Sequence, residues 1–308
     1  MKTLINRRRF LQGGLAASAA ATFSLAKKTE AASFEGYPNA MGVLVDLSRC
    51  VGCRSCEAAC NKEQKLPDPE KPFNDFSVFE ELHHGQKRRP DETRYTVVNR
   101  YEIPGQEHPL FRKIQCNHCQ EPACLTSCFV NAYTKTPEGA VVYDPTVCVG
   151  CRTCMIACPF NIPAFRYSSA FSPRIMKCIF CHDTRLVKGL PPACVEACPQ
   201  EALTFGRRSD LVAMGRQRIR ENPGSYVDHI YGEHEAGGTA WMYLSPVSFE
   251  KVGFDTSVPK EPILNYVKDF LSIVPMVLTI WPALFAGIHL LATRKEKKEQ
   301  QKKIEGEV

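Results

Sequence analysis

The chain has 308 residues, 23% of them charged, with a formal charge of +6, and its length allows one or two domains. The positive balance does not indicate nucleic-acid binding: the stretch up to Ala26 holds Lys2, Arg7, Arg8 and Arg9 and no acid, so its loss leaves +2, and no basic patch interleaved with aromatics follows. No hydrolytic triad, Walker loop or dinucleotide fingerprint is present, whereas sixteen cysteines are.

The N-terminus reads Asn6-Arg7-Arg8-Arg9-Phe10-Leu11-Gln12, and an uncharged run of small and apolar residues continues from Gly13 to Ala26. This predicts a signal peptide of the twin-arginine (Tat) type over residues 1–32, cleaved after Ala26 or near Ala31 or Ala32. A cysteine-bearing body is expected over residues 41–206. Its first strand, Met41-Gly-Val-Leu-Val-Asp46, leads into group I, Cys50-Val-Gly-Cys53-Arg-Ser-Cys56-Glu-Ala-Ala-Cys60. Residues 61–112 form a polar insertion with Lys65-Leu-Pro-Asp-Pro69 and Lys87-Arg-Arg-Pro-Asp-Glu92, read as a surface loop or a partner-docking surface. Group II follows as Cys116-Asn-His-Cys119-Gln-Glu-Pro-Ala-Cys124-Leu-Thr-Ser-Cys128. A strand at Ala140-Val-Val-Tyr143 and a turn at Asp144-Pro145 precede group III, Cys148-Val-Gly-Cys151-Arg-Thr-Cys154-Met-Ile-Ala-Cys158-Pro159. Group IV is split into Cys178-Ile-Phe-Cys181 and Cys194-Val-Glu-Ala-Cys198-Pro199, and Ala202-Leu-Thr-Phe205 reads as the strand that closes it.

An extension is expected over residues 207–262. Ser209 caps a helix running to Arg220, with Leu211, Val212, Met214 and Ile219 as a partial apolar stripe. Asn222-Pro-Gly-Ser225 ends that helix, and Thr239-Ala-Trp-Met-Tyr-Leu244 reads as a strand stopped by Pro246. Phe270 to Ala292 is uncharged, which predicts a membrane-spanning helix over residues 266–293 rather than a buried core helix or hairpin. Pro275, Pro282 and Gly287 are tolerated in such a span. The basic tail 294–308 places its C-terminal end on the cytoplasmic side and the cysteine body on the other. His289 within the span reads as a polar contact, since one histidine cannot fill both axial positions of a haem.

The spacing of groups I and III is the bacterial ferredoxin run C-x2-C-x2-C-x3-C. A cubane offers four iron corners, each needing one thiolate. Three closely spaced cysteines wrap three corners, and the fourth, about one helical turn on, points to a neighbouring cluster. Groups II and IV have longer spacers and still supply three loop cysteines and one outlier. Cys60 and Cys128 lack the proline that follows Cys158 and Cys198, a departure that removes no ligand. Sixteen thiolates thus predict four [4Fe–4S] clusters working in pairs, at about −2 each when oxidised, which brings the mature chain to about −6. Disulfides would not require this repeat. Zinc ribbons take two pairs of thiolates rather than three plus one. Reading Cys178-Ile-Phe-Cys181-His182 as a haem attachment site would strand Cys194 and Cys198. A twin-arginine route, whose members resemble one another in carrying folded proteins, suits clusters installed before export. The fold class expected is α+β: tandem ferredoxin-like units of strand, cysteine loop, short helix and strand, with a C-terminal transmembrane helix.

These motifs resemble the four-cluster iron–sulfur subunits of membrane-associated respiratory oxidoreductases. That family includes the electron-transfer subunits of dimethyl sulfoxide reductase and formate dehydrogenase, and the HybA-type subunit of [NiFe] hydrogenase-2. The HybA type is similar also in its own signal, in a segment like Ile230-Tyr-Gly-Glu-His-Glu-Ala-Gly-Gly-Thr239 and in one C-terminal span. The resemblance covers most of the chain, loosely at residues 61–112 and 245–262. It implies a crossed pairing of group I with IV and of II with III. Cys50, Cys53, Cys56 and Cys198 then hold one cluster, and Cys178, Cys181, Cys194 and Cys60 its neighbour. Cys116, Cys119, Cys124 and Cys158 hold a third, and Cys148, Cys151, Cys154 and Cys128 the fourth. It implies an electron-transfer subunit without substrate chemistry, relaying between a catalytic subunit, a hydrogenase, and an integral membrane quinone-reactive subunit. A molybdopterin partner such as formate dehydrogenase is the alternative, and a zinc-stabilised, membrane-tethered interaction protein is the alternative of another class.

Overall fold

The computed structural model describes residues 37–82, 86–169 and 174–305, with backbone alone for 269–272 and 298–305. The signal segment expected over residues 1–32 lies outside the described residues, as do the last three residues of the tail. The chain divides into two compact units, Met1–Pro38 and Asn39–Val308, and every element among the described residues lies in the second.

Strand β1 (Met41–Asp46) sits at the centre of a three-stranded sheet. It runs antiparallel to β8 (Leu203–Arg207) and parallel to β9 (Trp241–Leu244), with Val43 opposite both Phe205 and Trp241. Its unbroken apolar run has a direct cause, because both faces of the sheet are covered. Val43 and Val45 join Trp241, Tyr243 and Leu203 in the main core. Leu44, on the other face, packs with Met242, Leu244, Ile230 and Leu211 of helix α5 (Arg208–Glu221). The first face is the one that meets the cysteine loops.

Each cysteine group is delivered by a strand. β1 leads to group I and helix α1 (Ser55–Gln64). The hairpin of β2 (Thr96–Tyr101) and β3 (Leu110–Gln115) ends one residue before Cys116 and is followed by α2 (Ala123–Thr126). The hairpin of β4 (Tyr133–Lys135) and β5 (Val141–Tyr143) leads to group III and α3 (Thr153–Ala157). The short pair β6 (Ala164–Phe165) and β7 (Ile175–Met176) leads to group IV and α4 (Ala193–Glu196). Helix α1 packs on α4, and α2 on α3.

Residues 61–112 are more than a surface loop. They supply β2 and a 3-10 turn at Phe76–Phe79, and Val78, Phe79, Val97, Val98 and Arg88 are buried. A buried ionic clamp ties them to group I. Glu57 Oε2 accepts from Arg54 Nε at 3.2 Å and Nη2 at 2.9 Å, while its Oε1 accepts from Arg88 Nη2 at 3.0 Å and from the Val98 amide at 2.6 Å.

Two sequence expectations in the extension are corrected. Helix α5 starts at Arg208 with extended Arg207 as its cap, so Ser209 lies within the first turn and its hydroxyl donates to Asp210. Arg208 anchors that start instead, through bonds from its guanidinium to the carbonyls of Thr239 and Glu233. Met214, read as part of the apolar stripe, faces solvent; Gly215 is the buried residue, letting Ile230 approach where a Cβ would stand 2.9 Å from its Cδ1. Helix α6 (Ile263–Glu305) is continuous through Pro275 and Pro282. Its 43 residues span roughly 65 Å. Ile263–Lys297 is long and apolar enough to cross a membrane, and none of its most apolar stretch is buried inside the chain.

Candidate metal centres

The four loops share one backbone device. The residue before the second cysteine is left-handed in every group: Gly52 (φ 70°), His118 (φ 48°), Gly150 (φ 72°) and Phe180 (φ 61°). In groups I and III the residue after it, Arg54 (φ 61°) or Arg152 (φ 62°), is left-handed too and begins the short helix. These kinks curl three thiols round a common centre, and side chains other than glycine adopt them at a cost. At Gly52 there is no choice, since a Cβ would lie 2.3 Å from the Phe111 ring. After the fourth cysteine of groups II, III and IV the chain turns at once: Asn131, Asn161 and Glu201 are left-handed, and their amides bond the carbonyls of Cys128, Cys158 and Cys198. In group I, Asn61 continues helix α1 instead, and the corresponding stop comes at Lys65. The turn does not depend on the proline, since Cys128 is followed by Phe129 and group II turns as groups III and IV do.

All sixteen cysteines are free thiols. Cys50, Cys53, Cys56 and Cys198 line one cavity with Val45, Val98, Lys113 and Leu203. Cys60, Cys178, Cys181 and Cys194 line a second with Lys113, Phe180 and Trp241. The thiols acting most strongly on Cys119 are Cys158, Cys116 and Cys124. Those acting on Cys154 are Cys148, Cys151 and Cys128. We call these the first to fourth quartets. Neighbouring quartets share packing: Cys56 and Cys198 lie in one apolar cluster with Cys194, Cys116 and Cys158 in another with Cys178, and Cys124 in a third with Cys154, Cys148 and Cys128. The four therefore stand in a row in the order of their numbers.

Burial dominates the electrostatics of this row. It pushes the thiols of Cys50 and Cys158 up to about 11 and those of Cys124 and Cys178 up to about 12. Buried thiols of this kind must release protons when they bind metal. Cys151 is the exception. It is exposed, and the Thr153 hydroxyl and amide pull its pKa down. Buried lysines lie among the quartets. Lys113 is 3% exposed, and its Nζ donates to Thr96 Oγ1 at 2.8 Å and Gln115 Oε1 at 2.9 Å. Burial alone would lower its pKa, yet Cys194, Cys56, Cys178 and Cys60, once ionised, outweigh that and hold it above the usual lysine value. Lys177 Nζ donates to the carbonyls of Val141 and Cys178, and Lys135 Nζ to those of His118 and Gly139.

The residues present fit cubane clusters. Among the described residues, no three His, Cys, Asp or Glu side chains converge tightly enough to grip a single metal ion. The first two quartets each line a cavity of their own, the arrangement in which one thiolate can take each corner of a cubane. Among the buried side-chain nitrogens without a hydrogen-bond partner are Trp241 Nε1 and His118 Nε2. Trp241 lines the second cavity. His118 accepts the Val141 amide at Nδ1 (2.8 Å), which places its proton on Nε2. Buried donors without partners are rare in native proteins, and for Trp241 the cysteine-lined cavity offers sulfur as the acceptor.

The sequence did not reveal what braces these loops. The segment from Ile230 to Thr239 buttresses group II: Gly238 O accepts the Gln120 amide (2.9 Å), and Asn117 O accepts the Ala240 amide (3.0 Å). Glycines at 232, 237 and 238 were the available signal, all at positive φ. His182 of the haem-like motif pairs with Asp183 at 2.7 Å, and Cys178 and Cys181 line a cavity with Cys60 and Cys194 instead. His289 lies exposed on α6. At the fourth quartet, Phe129, Val149 and Ile156 are exposed around Cys151; at the first, Val51 is exposed beside Cys50.

Residues 108–208 match the model of a 4Fe-4S dicluster domain family. A protein of Nitratidesulfovibrio vulgaris (strain Hildenborough) is 52% identical over 95% of this chain and 78% of its own length. Hydrogenase-2 operon protein HybA of Escherichia coli O157:H7 is 31% identical, covering 80% of this chain and 83% of its own. The iron-sulfur subunit of the nitrate-inducible formate dehydrogenase of Escherichia coli K12 is 28% identical over 82% and 84% respectively. The cofactors of this chain are [4Fe–4S] clusters, and its sixteen cysteines are the ligand count of four.

Proposed function

We infer the role of this chain from the family to which it belongs, the iron–sulfur electron-transfer subunits of hydrogenase, formate dehydrogenase and dimethyl sulfoxide reductase type. Each quartet holds one cluster: Cys50, Cys53, Cys56 and Cys198 the first; Cys60, Cys178, Cys181 and Cys194 the second. Cys116, Cys119, Cys124 and Cys158 hold the third, and Cys128, Cys148, Cys151 and Cys154 the fourth. Groups I and IV make one ferredoxin-like unit and groups II and III the other; the packing of α1 on α4 and of α2 on α3 supports this. The chain performs no substrate chemistry. It passes electrons along the row between a catalytic subunit and a quinone-reactive membrane subunit.

The observation that carries this reading is the row itself, with buried quartets in the middle and more open ones at its ends. Cys50 and Cys53 are partly exposed and Cys151 is exposed, which brings the terminal clusters within reach of partners. Likeness to HybA favours a hydrogenase as the catalytic partner. Likeness to a formate dehydrogenase subunit favours the second reading, a molybdopterin enzyme. The chain is exported by its twin-arginine signal at 1–32 and held on the periplasmic side by a span at 266–293, followed by a cytoplasmic tail at 294–308; the apolar, uncovered helix α6 supports the anchor.

The test is anaerobic purification from solubilised membranes, with iron, acid-labile sulfide, nickel, molybdenum and zinc analysis and low-temperature EPR after dithionite reduction. About sixteen irons per chain with coupled cubane signals is the expected result, and co-purifying nickel or molybdenum identifies the partner. Zinc in place of iron, or intact disulfides, would overturn the relay.

A further inference from the structure

Lys113 stands where two candidate clusters meet. It lines the cavity of the first quartet and also that of the second. The side chain is almost wholly buried, and its ammonium is gripped by two neutral oxygens, Thr96 Oγ1 and Gln115 Oε1. Gln115 is itself fixed, donating to Tyr243 Oη at 2.7 Å. The ammonium lies 4.4 Å from the centre of the Trp241 ring. Among the described residues, no carboxylate lies within ion-pair distance of it. A buried cation without a counter-charge is strongly unfavourable. The negative charge facing this one is that of the two cysteine quartets.

We propose that Lys113 is a charge bridge shared by the first and second clusters, holding both at higher reduction potentials than their ligands alone would give. The proposal rests on the assignment of those two quartets as cluster sites. Reduction adds one negative charge to a cluster, and a fixed cation nearby stabilises the added charge in a low-dielectric interior. Because the same cation touches both cavities, it moves the two potentials together. The step between the first two clusters stays shallow, while the pair as a whole shifts relative to the third and fourth. The hydrogen bonds from Nζ to Thr96 and Gln115 hold the charge on the boundary between the cavities, so that it favours neither.

The experiment is an EPR-monitored redox titration of the detergent-solubilised full chain, after iron and sulfide analysis of the wild type. That analysis decides the cluster assignment independently of any variant. In Lys113→Met, two of the four midpoint potentials should fall together while the other two stay in place, and Lys113→Arg should keep the wild-type values. If Lys113→Met fails to load its clusters, Gln115→Glu carries the test. It sets a carboxylate at the position that now bonds Nζ, neutralises the cation in place, and should give the same paired fall. The proposal is overturned if no potential moves in a loaded variant, if only one falls, or if all four fall alike. A fall in Lys113→Arg equal to that in Lys113→Met would also overturn it, because packing rather than charge would then be responsible.

Discussion

Glu57→Gln tests whether the insertion is structurally tied to the first cysteine loop. Glu57 is 3% exposed, Arg54 2% and Arg88 1%, so the charge has little solvent to fall back on. Its two oxygens take three guanidinium donors and the Val98 amide. Glutamine keeps the shape, removes the negative charge that both arginines share, and turns one acceptor into a donor facing donors. Breaking a buried pair from one side costs about 3–5 kcal/mol. For a body of this size, each kcal/mol lowers the melting temperature by about 2–4 °C, so a drop of roughly 6–20 °C is expected. The assay is the apparent melting temperature of the holoprotein at a fixed scan rate, with cluster absorbance as a second probe. Arg54 lies between Cys53 and Cys56, so absorbance from the first quartet should bleach early. Adding Arg88→Met to Glu57→Gln removes one unpaired cation and should recover part of the loss, with a coupling of about 0.5–3 kcal/mol. A Glu57→Gln melt within a degree or two of wild type, or strict additivity in the double variant, would refute the reasoning.

Cys198→Ser should remove or convert the cluster held by the group I loop while group IV keeps its own; EPR loss confined to the group IV cluster would sink the crossed pairing. Trp241→Phe should lower one potential only, that of the second cluster, because an N–H donor favours the more negative reduced state. Loss of about 1 kcal/mol of that preference corresponds to roughly 40 mV for one electron, measured in the same titration. An unchanged potential would mean that the indole has no sulfur partner.

The cysteine groups and the strands leading into groups I and III were legible because each has a local signature. β1 reads as a run of apolar residues, and β9 as Trp241-Met-Tyr-Leu244 before Pro246. The β2–β3 hairpin was hidden by polar residues on buried strands: Asn99, Lys113 and Gln115 break the apolar pattern, yet all are 3% exposed or less. Asn99 is buried because its amide bonds Arg88 O at 2.7 Å, and Gln115 because it bonds Tyr243. Those partners lie 11 and 128 residues away, beyond any local pattern. Ser209 misled for a related reason. A serine near a helix start is a sound capping signal, but Arg208 already fastens the chain to the Thr239 carbonyl and the helix begins ahead of it. The spacing of the cysteines gives three thiols per loop and one outlier. Where each outlier goes depends on which short helices pack together, and that is tertiary information.

The interior charges also bear on how the chain folds. Lys113 and Lys177 are 3% and 2% exposed, and each is held by neutral oxygens. Beside them lie thiols that burial keeps protonated when no metal is bound, Cys56 and Cys178 among them. Without clusters this interior holds cations facing neutral thiols, a poor arrangement in a low dielectric. With clusters, the same lysines face several negative charges and stabilise the packing around them. Cluster insertion therefore supplies both the bonds that close the loops and the counter-charge that makes the buried lysines tolerable, so loading and folding become one process. It follows that a lysine in this core reports on the cluster almost as directly as a cysteine does: a buried ammonium with neutral partners implies an anion that the amino-acid side chains around it do not provide.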